Sequence, residues 1–207
     1  MMTGPSSSER YDVVAVASSA GGIPALGTLL AAFGPDLPVP VLVVQHLDRH
    51  RRTSLARILA RRTTLAVRLA SDQEQIEPGV VYVAPPDHHL LVEPGGVLAL
   101  TTSELVHFVR PSADLLFESV AGTYGWRAIA CVLTGTGSDG ALGVQALKSR
   151  GGTVVIEDPH TAAFDGMPNA AVATGTADYI VPLAEIGAVI CGLLATSDDK
   201  RRSTGGR

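Results

Sequence analysis

Short runs of apolar, mostly β-branched residues alternate along the chain with longer amphipathic stretches. The apolar runs predict strands near residues 12–17, 40–45, 65–69, 80–84, 129–134, 152–156 and 178–181. The stretches between and after them predict helices over 22–33, 52–61, 112–124, 139–149, 168–174 and 183–195. The strand over 41–44 is apolar throughout, which is typical of a parallel sheet covered on both faces. The pattern therefore predicts an α/β fold, a doubly wound and mainly parallel sheet with helices on both faces.

One segment departs from this alternation. Residues 89–93 and 97–101 flank the turn-forming sequence Pro94, Gly95 and Gly96, which predicts one antiparallel β-hairpin. The residues at both ends of the chain are small and polar, so we expect disordered tails over 1–10 and 196–207. A single domain is then expected over 11–195.

Residues capable of chemistry follow four of the predicted strands. Because the carboxyl ends of parallel strands meet at one edge of a sheet, these residues predict a site at that edge. They are Ser18, Ser19, Gly21 and Gly22 after the first strand, His46 after the second, His88 and His89 after the fourth, and the segment 135–140 after the fifth.

The first of these turns resembles a nucleophile elbow. Residues 17–21 read Ala-Ser-Ser-Ala-Gly, close to Gly-x-Ser-x-Gly, and a helix begins directly afterwards. The backbone N–H groups of a helix start can hold a phosphate or an oxyanion. Ser19 is the proposed nucleophile; spacing alone leaves Ser18 as a competitor, and a plain helix cap is the alternative for either serine.

A serine needs a base, and the strand ends offer one. His46 is positioned to be that base, and Asp139, within the glycine-rich segment 135–140, to orient it. Each has a structural alternative: His46 as a loop histidine, and Asp139 as the cap of the next helix. His46 and His50 have the spacing of a metal pair, but no cysteine or acidic cluster completes a site, so we expect no metal. We expect His88 and His89 to be rim residues.

Composition excludes several classes of protein. The net charge of −4 argues against a nucleic-acid partner, and no apolar run is long enough to span a bilayer. No secretory leader is recognisable in residues 1–10, and Cys131 and Cys191 lie in apolar runs that favour free buried thiols. We therefore expect a cytoplasmic protein that is not embedded in a membrane.

Six blocks of the sequence together resemble a known family, the catalytic domain of the protein-glutamate methylesterases of bacterial chemotaxis. The resemblance runs from about Tyr11 to Leu194. The blocks are 16–22 (VASSAGG), 43–47 (VVQHL), 81–89 (VYVAPPDHH), 110–114 (RPSAD), 133–140 (LTGTGSDG) and 158–168 (DPHTAAFDGMP).

The resemblance implies a Ser-His-Asp hydrolase that needs no cofactor. Its substrates would be methyl esters of glutamates on the cytoplasmic helices of chemoreceptors, with deamidation of receptor glutamines as a second reaction. By motif position it assigns Ser19, His46 and Asp139 to the triad and the backbone N–H groups of Ala20 and Thr136 to the oxyanion hole. It also assigns substrate contacts to Gly21, Gly22, Gly135, Gly137 and Met167.

The chain departs from the family pattern in two respects. Thr136 stands where the family often has methionine, which is secondary if the donor is the backbone amide. Many members carry an inhibitory N-terminal receiver domain, whereas only about ten residues precede the first predicted strand here; we expect no receiver and constitutive activity. Two other functions remain open: a catalytically silent receptor-binding module, and a phosphate- or nucleotide-binding domain. The absence of lysine and arginine from residues 18–22 and 135–140 weighs against the second.

Overall fold

The structure, a computed structural model, describes residues 11–204, and the side chains of residues 11–196. The expected tail over 1–10 and the last residues, 205–207, lie outside this range. The described residues form nine strands: β1 (Val13–Ser18), β2 (Val41–Gln45), β3 (Ala66–Leu69), β4 (Val80–Val83), β5 (His89–Glu93), β6 (Val97–Thr101), β7 (Ala128–Val132), β8 (Thr153–Glu157) and β9 (Tyr179–Val181).

Six α-helices connect or follow these strands. They are α1 (Gly22–Ala31), α2 (Leu55–Ala60), α3 (Ala113–Tyr124), α4 (Ala141–Ser149), α5 (Gly166–Ala173) and α6 (Leu183–Thr204). The last one continues beyond the predicted end at residue 195 into the segment that we expected to be a tail, because a polar composition does not stop a helix from extending into solvent. Among the described residues, no helix has both the length and the apolar character required to cross a membrane.

Seven strands form one parallel sheet in the order β3-β4-β2-β1-β7-β8-β9, and β5 and β6 form the antiparallel hairpin. This confirms the predicted fold class. The order changes direction at β1, because β2 lies on one side of it and β7 on the other. The crevice for a ligand in such a sheet opens at the carboxyl ends of the strands on either side of this change.

Two hydrophobic cores cover the two faces of the sheet. Alternate residues of β1 enter different cores: Val13, Ala15 and Ala17 face one, and Val14 and Val16 face the other. The first core includes side chains of α3, α4, α5 and the hairpin, and the second includes side chains of α1, α2 and α6. Burial on both faces explains why β1, β2 and β7 lack the polar alternation of a one-sided sheet.

Candidate active site

The two serines at the end of β1 have different surroundings. Ser18 is fully buried, and its Oγ donates a hydrogen bond of 2.7 Å to Oε1 of Gln45. The Gln45 amide nitrogen donates to the carbonyl oxygens of Ser19 and His46, at 2.8 and 2.9 Å. Gly22 permits this packing, since a Cβ there would lie 2.1 Å from Oε1 of Gln45. Ser18 and Gln45 thus hold the turn together, whereas the hydroxyl of the half-buried Ser19 bonds to no other described residue.

His46 lies beside Ser19 at the end of the neighbouring strand. Ser18 of β1 pairs with Gln45 of β2 in the parallel sheet, so the residues that follow them, Ser19 and His46, lie alongside each other. The amide of His46 donates to the carbonyl of Ser18 at 3.0 Å. Nε2 of His46 lies 2.8 Å from Oδ2 of Asp139. With an ionised carboxylate as partner, Nε2 carries the proton, which leaves Nδ1 as the nitrogen that can accept one.

Asp139 is buried and accepts hydrogen bonds on both oxygens. Besides His46, Oδ2 accepts from the amide of Ala113 at 2.6 Å, while Oδ1 accepts from the Ser112 hydroxyl at 2.8 Å and the Asp114 amide at 3.1 Å. Burial alone would favour the neutral acid, but the bonds from His46 and the two amides outweigh it and lower the pKa of Asp139. The carboxylate also lies at the amino end of α3, where the helix dipole stabilises a negative charge.

A second aspartate mirrors this arrangement. Oδ1 of Asp114, in the first turn of α3, accepts from the amides of Gly140 and Gly143 at the start of α4, at 2.9 and 2.7 Å. Oδ2 of Asp114 lies 3.1 Å from Nε2 of His107. Burial raises the pKa of Asp114, opposed by those two amides and by His107. Asp139, which lies just before α4, therefore caps α3, and Asp114 of α3 caps α4.

Ligand atoms of His107, Asp114 and Asp139 lie within 4.8 Å of one another, close enough to consider a metal ion. The four carboxylate oxygens already accept bonds from amides, a hydroxyl or histidines, so helix capping accounts for the cluster. His50, the other sequence-based metal candidate, is exposed and accepts a hydrogen bond from Arg49.

The two amides assigned to the oxyanion hole are available to a ligand. Neither Ala20 nor Thr136 donates its backbone N–H to another described residue. Buried Thr134 connects the surrounding segments: its carbonyl accepts from the Ser19 amide at 3.0 Å, and its hydroxyl donates to the Ala20 carbonyl at 3.1 Å and accepts from the Phe164 amide at 2.8 Å. The Thr134 amide donates to Glu157 at 2.7 Å, and burial raises the pKa of that glutamate.

The glycine loop packs directly against Ser19. A Cβ on Gly135 would lie 2.3 Å from Sδ of Met167 and 2.8 Å from Cβ of Ser19, so no larger residue fits there. Met167 is 1% exposed and donates its amide to the Gly135 carbonyl at 2.8 Å, which places it beneath the loop. Gly137 is exposed and has a positive φ of 85°. Substrate contacts by Gly21, Gly22, Gly135, Gly137 and Met167 stay a prediction.

The expectation of a rim position is wrong for His89. It is fully buried as the first residue of β5, where Nδ1 accepts from the Ser112 amide at 3.1 Å and Nε2 lies 3.0 Å from the Glu104 carbonyl. His88, just before the strand, is half-buried. His89 thus fixes Ser112, which in turn binds Asp139. The sequence analysis did not predict this supporting role of His89. It also did not predict the role of Gln45, although a polar residue at the end of an apolar strand was a visible signal for it.

The chain is similar to known proteins over most of its length. The family model described as CheB methylesterase matches residues 14–190. A protein of Leptospira interrogans is 37% identical over 177 residues, covering 86% of this chain and 92% of that one. Relatives from Anaeromyxobacter dehalogenans and Geobacillus kaustophilus, each named a protein-glutamate methylesterase/protein-glutamine glutaminase, are 45% and 42% identical over 83% and 88% of this chain. The chain spans about half the length of these two, 51% and 53%.

A solved structure has a similar fold over most of the chain. The CheB methylesterase catalytic domain of Thermotoga maritima matches with a TM-score of 0.84 and 35% sequence identity, covering 90% of this chain and 98% of that one.

Proposed function

Because the chain belongs to the CheB methylesterase family, we propose that it is a serine hydrolase that demethylates glutamate methyl esters on chemoreceptors. Its substrate segment is a methylated helix from the cytoplasmic part of a receptor. Deamidation of a receptor glutamine is the second reaction of the same site, as the names of its relatives suggest. The residues that carry the reaction are Ser19, His46 and Asp139.

The first half of the reaction forms an acyl-enzyme. Nδ1 of His46 accepts the Ser19 proton while Oγ attacks the ester carbonyl carbon. The resulting oxyanion accepts hydrogen bonds from the amides of Ala20 and Thr136, which is where such sites gain most of their rate. The imidazolium gives its proton to the leaving oxygen, and methanol departs. Asp139 keeps the ring in one orientation and stabilises its charge throughout.

The second half regenerates the serine. His46 removes a proton from water, the hydroxide attacks the acyl carbon, and the Ser19 oxygen leaves with the proton that His46 returns. The products are methanol and a glutamate carboxylate, so one water is consumed for each ester. With a glutamine substrate the same steps release ammonia in place of methanol.

The observation that carries this proposal is the buried bond of 2.8 Å between His46 and Asp139, beside a serine whose hydroxyl is uncommitted. A silent binding module has no need for an ionised carboxylate that orients a histidine next to a sharp turn. The structure offers that alternative no support.

The test is methanol release from a methylated receptor fragment by the purified protein. Ser19→Ala should reduce the rate by a factor on the order of 10⁴ to 10⁶, because the nucleophile is lost. Ser18→Ala is the matched control: it removes one buried hydrogen bond and costs about 1 kcal/mol of stability, with a far smaller effect on rate. The assignment fails if Ser18→Ala is the inactive variant or if Ser19→Ala retains activity.

A further inference from the structure

The arginines of this chain are unevenly distributed. Residues 49–71 contain seven of its 16 lysines and arginines and none of its 20 aspartates and glutamates. The remainder of the chain is therefore strongly acidic, although the whole carries a net charge of only −4. Such segregation produces a local positive potential that the net charge conceals.

The start of this segment lies next to the candidate active site. Arg49, Arg51 and Arg52 belong to the loop that follows β2, and Arg49 is three residues beyond His46. Three residues of chain span at most ~11 Å. All three arginines are exposed, and we name them the basic loop.

Few carboxylates in the surroundings neutralise the basic loop. Nε of Arg51 lies 3.6 Å from a carboxylate oxygen of Asp48, but these side chains are 84% and 55% exposed, so the pair is weak. Asp87, on the neighbouring strand end, is bound by Arg110 at 2.6 Å; that hydrogen bond and, less strongly, the charges of Arg110 and Arg49 lower the pKa of Asp87. The positive charge of the loop thus remains available to a partner.

A cleft of about 440 Å³ opens at the basic loop. It is lined by Arg49, His50, Arg51, Arg52, Thr53, Leu69 and Pro86. Its wall is therefore cationic, and Leu69 and Pro86 add an apolar part. This combination fits a carboxylate carried on an apolar stem, which is the chemistry of a glutamate side chain.

We propose that the basic loop is a docking surface for unesterified glutamates that flank the methyl ester on the substrate helix. The proposal rests on the proposed function, because it takes the substrate to be a glutamate-bearing helix. Residues one or two turns away on an α-helix are displaced by 5.4 to ~11 Å along its axis, which is comparable to the greatest distance, ~11 Å, that the three residues from His46 to Arg49 can span. The loop selects where the helix binds, and the triad acts on the ester.

The test uses two helical peptides, each with one γ-methyl glutamate. In one, the positions one and two turns away on both sides are glutamates; in the other, they are glutamines. At low ionic strength we expect a KM for methanol release that is about tenfold lower for the glutamate-flanked peptide, as three weak ion pairs would give. Added salt should reduce this preference.

The variant Arg49→Gln, Arg51→Gln, Arg52→Gln should reduce the preference to less than twofold. The matched control is Arg61→Gln, Arg62→Gln, Arg150→Gln, which removes the same charge from exposed residues just after the ends of α2 and α4, at the opposite edge of the sheet. It should keep the preference of the unmodified protein. The proposal is overturned if the two triple variants behave alike or if the unmodified protein does not distinguish the peptides.

Direct binding separates docking from catalysis. In the Ser19→Ala background, fluorescence anisotropy of the labelled peptides should show the same preference in Kd. Preferential binding without methanol release by the unmodified protein would support the docking surface and contradict the proposed function. Methanol release at the same KM for both peptides would support the proposed function and contradict the docking surface. A single-stranded RNA of equal charge that competes as well as the peptide would identify a general polyanion surface and overturn the assignment to an acidic helix.

Discussion

Asp139 has two roles in the structure, because it orients a histidine and caps a helix. It binds the ring of His46, and it also accepts the first amides of α3. Its contacts support the orienting interpretation. The sequence-based interpretation of Asp139 as the cap of the next helix is wrong, because Asp139 caps α3, and the first amides of α4 bind Asp114 instead. Its low pKa keeps it ionised for both roles.

Asp139→Asn and His46→Gln should separate these roles. His46→Gln removes the base and should abolish turnover, but it leaves Asp139 with the Ser112 hydroxyl and two amides, so the free energy of unfolding should change by less than ~1 kcal/mol. Asp139→Asn should also abolish most activity and, because the amide NH₂ cannot accept these bonds, cost about 2 kcal/mol of stability. Methanol release and urea denaturation measure the two effects. Equal stability losses in the two variants would contradict the dual role.

His89 should make the protein less stable in mild acid. Burial lowers the pKa of His89, so the folded protein resists protonation while the unfolded chain gains a proton as pH falls through ~6.5. This contribution to the free energy of unfolding is fully present above pH ~6.5. It is lost as the pH falls from ~6.5 toward the lower pKa that His89 has in the folded protein. Urea denaturation at pH 7.5 and 5.5 should show the loss, and His89→Asn, which can still accept from the Ser112 amide, should reduce it. Identical pH dependence in both proteins would rule out His89 as the cause.

Short-range spacing could identify Ser19, His46 and Asp139 as candidates, because Ser19 and His46 immediately follow strands and Asp139 lies in the glycine-rich segment after β7. It could not identify which distant residues the supporting side chains bind. Gln45 acts on Ser18 and Ser19, 27 and 26 positions away in sequence, and His89 acts on Ser112, 23 positions away. Such contacts depend on tertiary packing, which leaves no local pattern.

At the level of elements, α3 and α4 approach each other closely at one glycine. A Cβ on Gly143 would lie 2.7 Å from Cβ of Phe117 and 3.0 Å from the backbone of Asp114. The close approach lets Asp114 reach the amides at the start of α4. The spacing of these two helices thus determines the position of Asp139 as well.

Gly143→Ala should therefore destabilise the protein by about 1–3 kcal/mol, since the neighbour on one side is backbone. Gly122→Ala is the matched control in α3: no atom of the described residues lies within 4 Å of its added Cβ, and alanine is the better helix former by up to ~1 kcal/mol. Thermal denaturation should show a lower Tm for the first variant and an equal or higher Tm for the second. A Tm for Gly143→Ala equal to that of the unmodified protein would mean that the helices can separate without cost.

Element types were well predicted because burial on two faces produces long apolar strands and because the Pro-Gly-Gly turn marks the hairpin. The ends of the elements were less well predicted. The helix α6 runs to Thr204, since the sequence shows where apolar contacts stop but not where backbone hydrogen bonding stops. The domain boundary near residue 195 accordingly stays a prediction.

At the scale of the whole molecule, one sheet is shared by two cores. Phe117 belongs to the first core and Ile190 to the second, and both are fully buried. Because every central strand contributes side chains to both, we expect that neither core can melt alone.

Phe117→Ala and Ile190→Ala should each lower the stability of the entire molecule, by about 3–5 and 2–5 kcal/mol. Trp126, the single tryptophan, directly follows α3. For both variants, the midpoint of urea unfolding measured by its fluorescence should move to a lower urea concentration. The midpoint measured by far-UV circular dichroism should move by the same amount. Leu142→Ala, at a side chain that is 57% exposed, is the control with little expected change. If Ile190→Ala lowered the midpoint measured by circular dichroism but not the midpoint measured by tryptophan fluorescence, the two cores would unfold independently.

The capping by Asp139 also limits how this chain can lose its activity over evolutionary time. A lineage that abandons catalysis can replace Ser19 at little structural cost, because that hydroxyl supports nothing else in the described residues. Replacing Asp139 removes the anchor of α3 along with the chemistry. Inactive descendants should therefore keep the aspartate as a relic, so its presence in a related sequence is evidence of ancestry, and the serine is the better marker of a working enzyme.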